Sequence, residues 1–425
     1  MVPDGRCSGA TGLWLSGLVL VGVLVSALVT TPAFSQQPAS SYDEIRREIA
    51  ALSERVDKLE AENAALKDRN DKLEKLVTAQ APPAAPVAAQ SAAAPVIAAA
   101  AKPVAAPAPE AFRVSGYLLA DAYGVLANHN PAVAGQSGFW VRRGYLTFDG
   151  RISDAWSSRL RFEVNSPGDF TTNAKLTPFV KDAFLAWKSA GNELDLGISP
   201  SPTWDFVEGF WGYRIIEKTP LDLYRMGSAR DFGVAYHGKA LDGRTFYHGM
   251  FGNGAAEGSE TNQGKKGMFS FGFRPTDALV VELYGDYEDR PGNTDRTTYH
   301  AFAGWKGTRS RYGLEYGHQH RDADTGPGEA VSFGSLFGVW GLTAKSTLIA
   351  RWDRSFAGFS DAEKIPYIPI ANNTEFDLAV LGWDYKLLRQ ISLIPNLEYV
   401  RYRATDGLPA PDDDLYGRLT LYYQF

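Results

Sequence analysis

Charged side chains recur at every second position of otherwise apolar stretches, and this spacing is where the chemistry of the chain would reside. Arg159, Arg161 and Glu163 interleave with Leu160, Phe162 and Val164. Glu282 and Asp286 interleave with Leu279, Val281, Leu283 and Tyr287, and Arg311 and Glu315 with Tyr312, Leu314 and Tyr316. Arg351 and Arg418 hold the same phase in later stretches. Successive side chains of a strand point to opposite faces, so these charges gather on one face and the apolar residues on the other. Arginine stays protonated and offers a planar fork that suits phosphate or carboxylate. Carboxylates share the face, and the chain carries 43 Lys and Arg against 49 Asp and Glu. The lining is therefore expected to be mixed in charge, with anion preference as the sharper expectation and a weakly selective wall as the plainer one.

A second set of residues could narrow a passage. Trp204, Asp205, Phe206, Glu208, Phe210, Trp211, Tyr213 and Arg214 fall within one link running from Pro200 to about Arg230. A segment this long and aromatic should not hang in water. It is expected to fold into a channel mouth and constrict it; the alternative is packing over a rim or against a neighbouring subunit. Its ring faces would also suit sugars.

Other chemistry finds little support. His318-Gln319-His320 places two imidazoles on one strand face, but no third ligand follows at useful spacing, so no metal site is expected. No phosphate loop, Gly-x-Ser-x-Gly element or zinc signature is present, so no catalytic residue or cofactor is assigned and the chain is read as a non-enzyme. A formal charge of −6 without a polybasic stretch disfavours a nucleic-acid partner. Cys7 is the single cysteine, which excludes an intramolecular disulfide.

The elements that must position these charges are strands. In the last stretch, Leu415, Gly417, Leu419, Leu421, Tyr423 and Phe425 alternate with Tyr416, Arg418, Thr420, Tyr422 and Gln424. Similar stretches recur from Phe112 onward. Tight links near Arg151–Asp154, Ala190–Asn192, Leu241–Gly243, Pro275–Asp277, Gly307–Arg309 and Leu387–Arg389 take turns with longer links. Charged residues inside apolar strands are costly in a dry core and comfortable beside water. The fold class expected is therefore all-β: a transmembrane antiparallel β-barrel of about 16 strands, with 14 to 18 left open.

Ahead of the barrel the texture differs. Residues 1–35 read as an export signal, with Arg6, an apolar run from Leu13 to Val29 and the small-x-small site Ala33-Phe34-Ser35. Within 42–77, Ile49, Leu52, Val56, Leu59, Asn63, Leu66, Asn70 and Leu73 follow the three-four spacing of an α-helical coiled-coil seam. Buried Asn63 and Asn70 suit two strands, whereas a barrel of this kind suggests a trimer; the trimer is the expectation. Residues 78–111 are rich in Pro and Ala and read as a tether, leaving 112–425 for the barrel.

Several stretches together resemble the phosphate-selective porin O and P family. They are Gly138–Gly150, Asp182-Ala183-Phe184-Leu185-Ala186-Trp187, Ser228-Ala229-Arg230-Asp231-Phe232-Gly233-Val234 and the terminal Tyr422-Tyr423-Gln424-Phe425. The resemblance spans about 112–425 and implies a trimeric bacterial outer-membrane channel that passes small anions. Leu196-Gly197-Ile198-Ser199-Pro200-Ser201-Pro202 lacks the basic residues that the family often carries ahead of its Arg-Asp-Phe piece. The expectation is a porin for passive diffusion of small hydrophilic solutes, with moderate preference for anions such as phosphate. A general or sugar-conducting porin and a barrel-anchored structural or adhesive protein are the alternatives. Expected partners are copies of the chain, outer-membrane lipid, small anionic or neutral solutes and, through a periplasmic stalk, peptidoglycan.

Overall fold

The computed structural model describes residues 112–173, 175–404 and 409–425. The expected export signal, coiled coil and tether, residues 1–111, lie outside the described residues. Sixteen antiparallel strands follow one another in chain order. They are β1 (Phe112–Ala127), β2 (Ser137–Arg151), β3 (Trp156–Asn165), β4 (Thr177–Ser189), β5 (Asn192–Pro200), β6 (Arg230–Ala240), β7 (Thr245–Gly252) and β8 (Lys266–Phe273). Then come β9 (Leu279–Glu288), β10 (Arg296–Lys306), β11 (Ser310–Arg321), β12 (Glu329–Gly341), β13 (Ser346–Ser355), β14 (Phe376–Leu388), β15 (Ile391–Tyr402) and β16 (Asp414–Gln424).

Each strand pairs with its sequence neighbours, and β16 pairs with β1 to close the cylinder. Closure removes the unpaired edge that an open sheet would present. At the seam Leu118 faces Tyr423, and Gly116 and Phe425 exchange both backbone hydrogen bonds, at 3.1 and 3.0 Å. A Cβ at Gly116 would run into the Tyr145 carbonyl oxygen and the Phe425 ring, so the closing contact depends on that glycine.

Long and short connections alternate around the barrel, and both described ends of the chain lie at the short-turn rim. The β4–β5 link needs only Ala190 and Gly191, both at positive φ, as a tight right-twisted hairpin requires. Two links escape the sequence reading: the short one between β12 and β13 and the long one between β9 and β10.

The outward face is a band of exposed aliphatic residues, among them Leu283, Leu314, Leu336 and Leu381. Trp156, Trp187, Trp305 and Tyr312 edge it near the short turns, and Tyr287, Tyr299, Phe356 and Tyr399 near the long loops. Such a band suits hydrocarbon bounded by two interfaces. Inward, the pattern differs from the expected uniformly polar wall. Asp182, Glu282, Arg351 and Arg418 are buried there, but so are Met250, Met268, Tyr284, Phe302, Phe333 and Phe337. One sector of the interior is thus apolar, because two loops pack against it.

Leu314→Arg, in the middle of the band, is expected to destabilise the barrel in lipid vesicles by about 2–4 kcal/mol, against about 0–1 kcal/mol for Tyr287→Arg near an interface. Urea unfolding measures both, and equal effects would contradict a lipid-facing band.

Candidate functional site

The site is built from the link between β5 and β6, which turns back inside the cylinder. Thr203 makes the turn at positive φ and donates its hydroxyl to Glu282 Oε2 at 2.7 Å. Helix α1 (Trp204–Trp211) follows and stops at Gly212, which is left-handed and donates its N–H to the Glu208 carbonyl. A side chain at Gly212 would meet both a positive φ and the Arg311 guanidinium. Helix α2 (Pro220–Leu223) then starts on a proline, whose missing N–H has no partner to lose in a first turn.

The rings of α1 spend themselves on the wall. Trp204 meets Tyr284 edge-on at 5.5 Å, Phe206 packs on Phe246 at 4.6 Å, Phe210 on Phe302 at 5.1 Å and Trp211 on Phe337 at 4.9 Å. Each such pair adds about 0.5–1.5 kcal/mol beyond its buried area. Asp205 is exposed on the helix's other side, and Glu208 is half-buried.

Backbone carbonyls of the loop take their donors from the wall. Arg142 donates to the Ile216 carbonyl at 2.5 Å and pairs with the Glu217 carboxylate at 2.6 Å. Arg311 donates to the Trp211 carbonyl at 2.8 Å, Arg351 to that of Lys218, and Gln319 to that of Met226 at 2.6 Å. Tyr213 donates its hydroxyl to Asp384 at 3.1 Å. Glu217 belongs to the loop and is 1% exposed. Burial alone would raise its carboxyl pKa; Arg142, Arg418 and Arg351 reverse that and hold it below the usual range.

A second loop, between β13 and β14, also turns inward. Phe359, Ile365, Tyr367, Ile368 and Ile370 are buried. Arg418 donates to the Tyr367 carbonyl at 2.6 Å, and the Tyr367 hydroxyl to the Ser166 carbonyl at 2.6 Å. The two loops meet where Tyr224 packs on Phe359 at 5.4 Å and Arg225 pairs with Asp361 at 3.3 Å.

What stays open is a series of cavities on the other side of α1. One of about 460 Å³ lies toward the long loops, with Arg230, Lys266 and Arg296 in its wall. One of about 340 Å³ lies between α1 and β1–β4, bordered by Arg159, Arg161, Lys181, Asp205, Glu208, Arg214 and Arg230. One of about 810 Å³ opens toward the short turns and includes Asp205, Phe206 and Glu282. Arg230 borders the first two and Asp205 the last two, so the three adjoin. In the narrow one each cation has a carboxylate partner. Arg161 is backed by buried Asp182 at 3.0 Å; Lys181 lies between buried Glu163 at 3.5 Å and Glu257 of the β7–β8 loop; Arg159 pairs with Asp149 at 2.7 Å, Arg214 with Glu208 at 2.7 Å, and Arg230 with Asp182 and Asp205.

The nine residues expected along the passage all turn inward, but they divide. Arg159 and Arg161 border the narrow cavity, and Glu282 the wider one. Arg311, Arg351 and Arg418 are occupied by loop carbonyls. Glu163 is paired with Arg143 at 2.8 Å, Asp286 with Lys266 at 3.2 Å and Glu315 with His300 at 3.2 Å.

Alternation misses Lys181, Arg142 and Arg143, for a local reason. The β3–β4 register skips a residue between Arg161↔Asp182 and Phe162↔Val180, and the β1–β2 register skips one between Leu119↔Arg143 and Ala120↔Val141. Each skip is a bulge, and it turns two consecutive charged residues to the inside. Adjacent charges within an otherwise alternating strand are the signal that could have found them. The second inward loop also had one, the apolar run Ile365-Pro366-Tyr367-Ile368-Pro369-Ile370.

No protein-family model matches the sequence. No curated protein matches it either. Solved structures do match the fold. An anion-selective porin from Comamonas acidovorans aligns with a TM-score of 0.57 at 12% identity, over 74% of this chain and all of that one. The in-vitro folded trimer form of OmpT, an outer membrane protein of Vibrio cholerae, gives 0.52 at 14% identity over 74% and 99%. Salmonella typhi OmpF, in complex with daunomycin, gives 0.53 at 11% identity over 74% and 97%. The chain shares the closed 16-stranded barrel of porins, and at these identities the likeness is one of fold.

Removing the Glu217 carboxylate takes the nearer counter-charge from buried Arg142 and leaves it Asp121 at 3.7 Å, a loss of up to about 3–5 kcal/mol. Glu217→Ala is expected to speed hydrogen exchange at the amides of residues 213–219. Because the carboxyl pKa is depressed, its contribution is complete above the ordinary glutamate value of about 4.3 and fades as pH falls through the lower folded value. Protection factors in this loop, which correct for the base catalysis of exchange itself, should therefore fall in acid and not in alkali; the reverse order would contradict the anchoring.

Proposed function

We propose that this chain is a bacterial outer-membrane porin that lets small hydrophilic solutes diffuse passively, with a moderate preference for anions such as phosphate. The observation that carries this reading is the narrow cavity. Its wall presents Arg159, Arg161, Lys181, Arg214 and Arg230 against Asp205 and Glu208 of α1. Fixed cations in a constriction lower the barrier to anions and raise it to cations. The forked donors of Arg159 and Arg161 suit the oxygens of phosphate or carboxylate, which supports the phosphate reading alongside the sequence resemblance. A sugar pathway has less support, since three of the four rings of α1, Trp204, Phe210 and Trp211, pack against the wall and only Phe206 borders a cavity.

The apolar outer band supports placement in a lipid bilayer, and the alternation of long loops and short turns an outer-membrane orientation. In that orientation the long loops face outward and Phe112 stands at the periplasmic rim, which supports a periplasmic location for the proposed stalk of residues 42–77. A trimer is the proposed assembly, with the stalk seam as one of its contacts and peptidoglycan as a further partner of the stalk.

Reversal potentials across a planar bilayer with unequal KCl test the reading. The expected sign is that of an anion-preferring pore. Replacing Arg159 and Arg161 together by serine should reduce that preference several-fold, because two fixed charges leave the wall of the cavity between α1 and β1–β4. Phosphate is expected to reduce chloride current in the unaltered protein. A folded barrel that passes no ions would remove the channel, and an unchanged reversal potential in the double variant would remove the arginines from its selectivity.

A further inference from the structure

On the short-turn side of α1, a row of potential metal ligands crosses three adjacent strands. Glu193 on β5 stands opposite His237 on β6, and His237 opposite His248 on β7. Asp195, two residues further along β5, turns to the same side. One ligand atom each from Glu193, Asp195 and His237 lies within 4.8 Å of the others. Asp195 is 3% exposed. Its Oδ2 lies 3.3 Å from His237 Nε2, and its Oδ1 is buried with no hydrogen-bond partner. The Nε2 of His248 is also buried without a partner, and that ring lies 5.0 Å from the His237 ring. Buried acceptors left without a donor cost about 1–3 kcal/mol each, which a bound cation would relieve.

We propose that Glu193, Asp195 and His237 form a site for a divalent transition-metal ion of the Zn²⁺ type, with the fourth position left to solvent. Two ligand atoms about 2.0–2.1 Å from a tetrahedral ion stand about 3.3–3.4 Å apart. The Asp195 and His237 atoms already have that separation. Imidazole with carboxylate favours zinc, copper or nickel; calcium and magnesium take all-oxygen sets. Glu193, His237 and His248 border the cavity of about 810 Å³, so an ion reaches the site through solvent. Lys188 competes for Glu193 at 3.4 Å, but its side chain is 55% exposed and free to swing into water. A bound dication would neutralise the two carboxylates and so remove negative charge beside the passage on the short-turn side of Asp205.

The ligands come from separate strands, so sequence spacing could not show the set. The site does not rest on the channel reading, and a binding measurement keeps the two apart. Untagged full-length protein in detergent, dialysed against Zn²⁺, is expected to hold one ion per chain. Asp195→Asn and His237→Gln should each weaken binding by more than the about 10–100-fold that losing a supporting hydrogen bond costs at a metal site. His320→Gln, exposed on the outer face, should leave binding unchanged. Co²⁺ added to the unaltered protein should give the strong visible bands of a four-coordinate site, a readout that does not depend on any variant folding. Failure of the folded protein to take up Zn²⁺, or equal uptake by both ligand variants, would reduce the cluster to a hydrogen bond within the wall.

Discussion

Loop backbone drawn inside a barrel carries carbonyls that bulk water no longer fully reaches, and the inner-wall arginines supply the missing donors. Arg142, Arg311 and Arg351 bind carbonyls of the β5–β6 link, and Arg418 binds one from the β13–β14 link. A buried amide acceptor left unpaired costs more than the net gain from pairing it, so these contacts act chiefly by preventing a penalty. They also locate the loop: each guanidinium is fixed by its strand, and each carbonyl by its place in the chain. Without them the apolar side of α1 could slide along the greasy sector formed by Phe302, Phe333 and Phe337.

This anchoring divides the interior by function. On one side, rings from the loops meet rings from the wall, and arginines are consumed in holding them. On the other side, Arg159, Arg161 and Lys181 stay beside open space; Asp182 and Glu163 are buried in the wall, while Asp149 and Glu257 keep some exposure. The overall charge of the chain is acidic, yet the surface bordering the narrow cavity is mostly cationic. Composition averages over both sides, whereas the open cavities are bordered by only one.

Much of the barrel was legible because its requirement is repeated along the chain. Leu160, Leu283 and Leu314 had to face one way and Glu163, Glu282 and Glu315 the other, and period-two alternation records this directly. The β5–β6 link was legible for a different reason: Trp204, Phe206 and Trp211 are too apolar to leave in water. Lys181 and Arg143 were hidden, since a bulge shifts parity by one residue and nothing in a simple alternation announces it. The apolar inner sector was partly visible in β12, where Phe333 and Phe337 on one face and Leu336 on the other make both faces greasy.

The amino-acid sequence by itself determined, outside the bulges, which side chains face in and which face out, where the chain turns at all but two of its links, and that one long link needed shelter. These are local consequences of alternation, turn chemistry and hydrophobicity. Only the tertiary structure decided which inward charges remain beside open space, because that depends on which strands the returning loops cover. It alone brought Glu193 and Asp195 to His237 and His248, since strand register sets distances between residues that the chain keeps far apart.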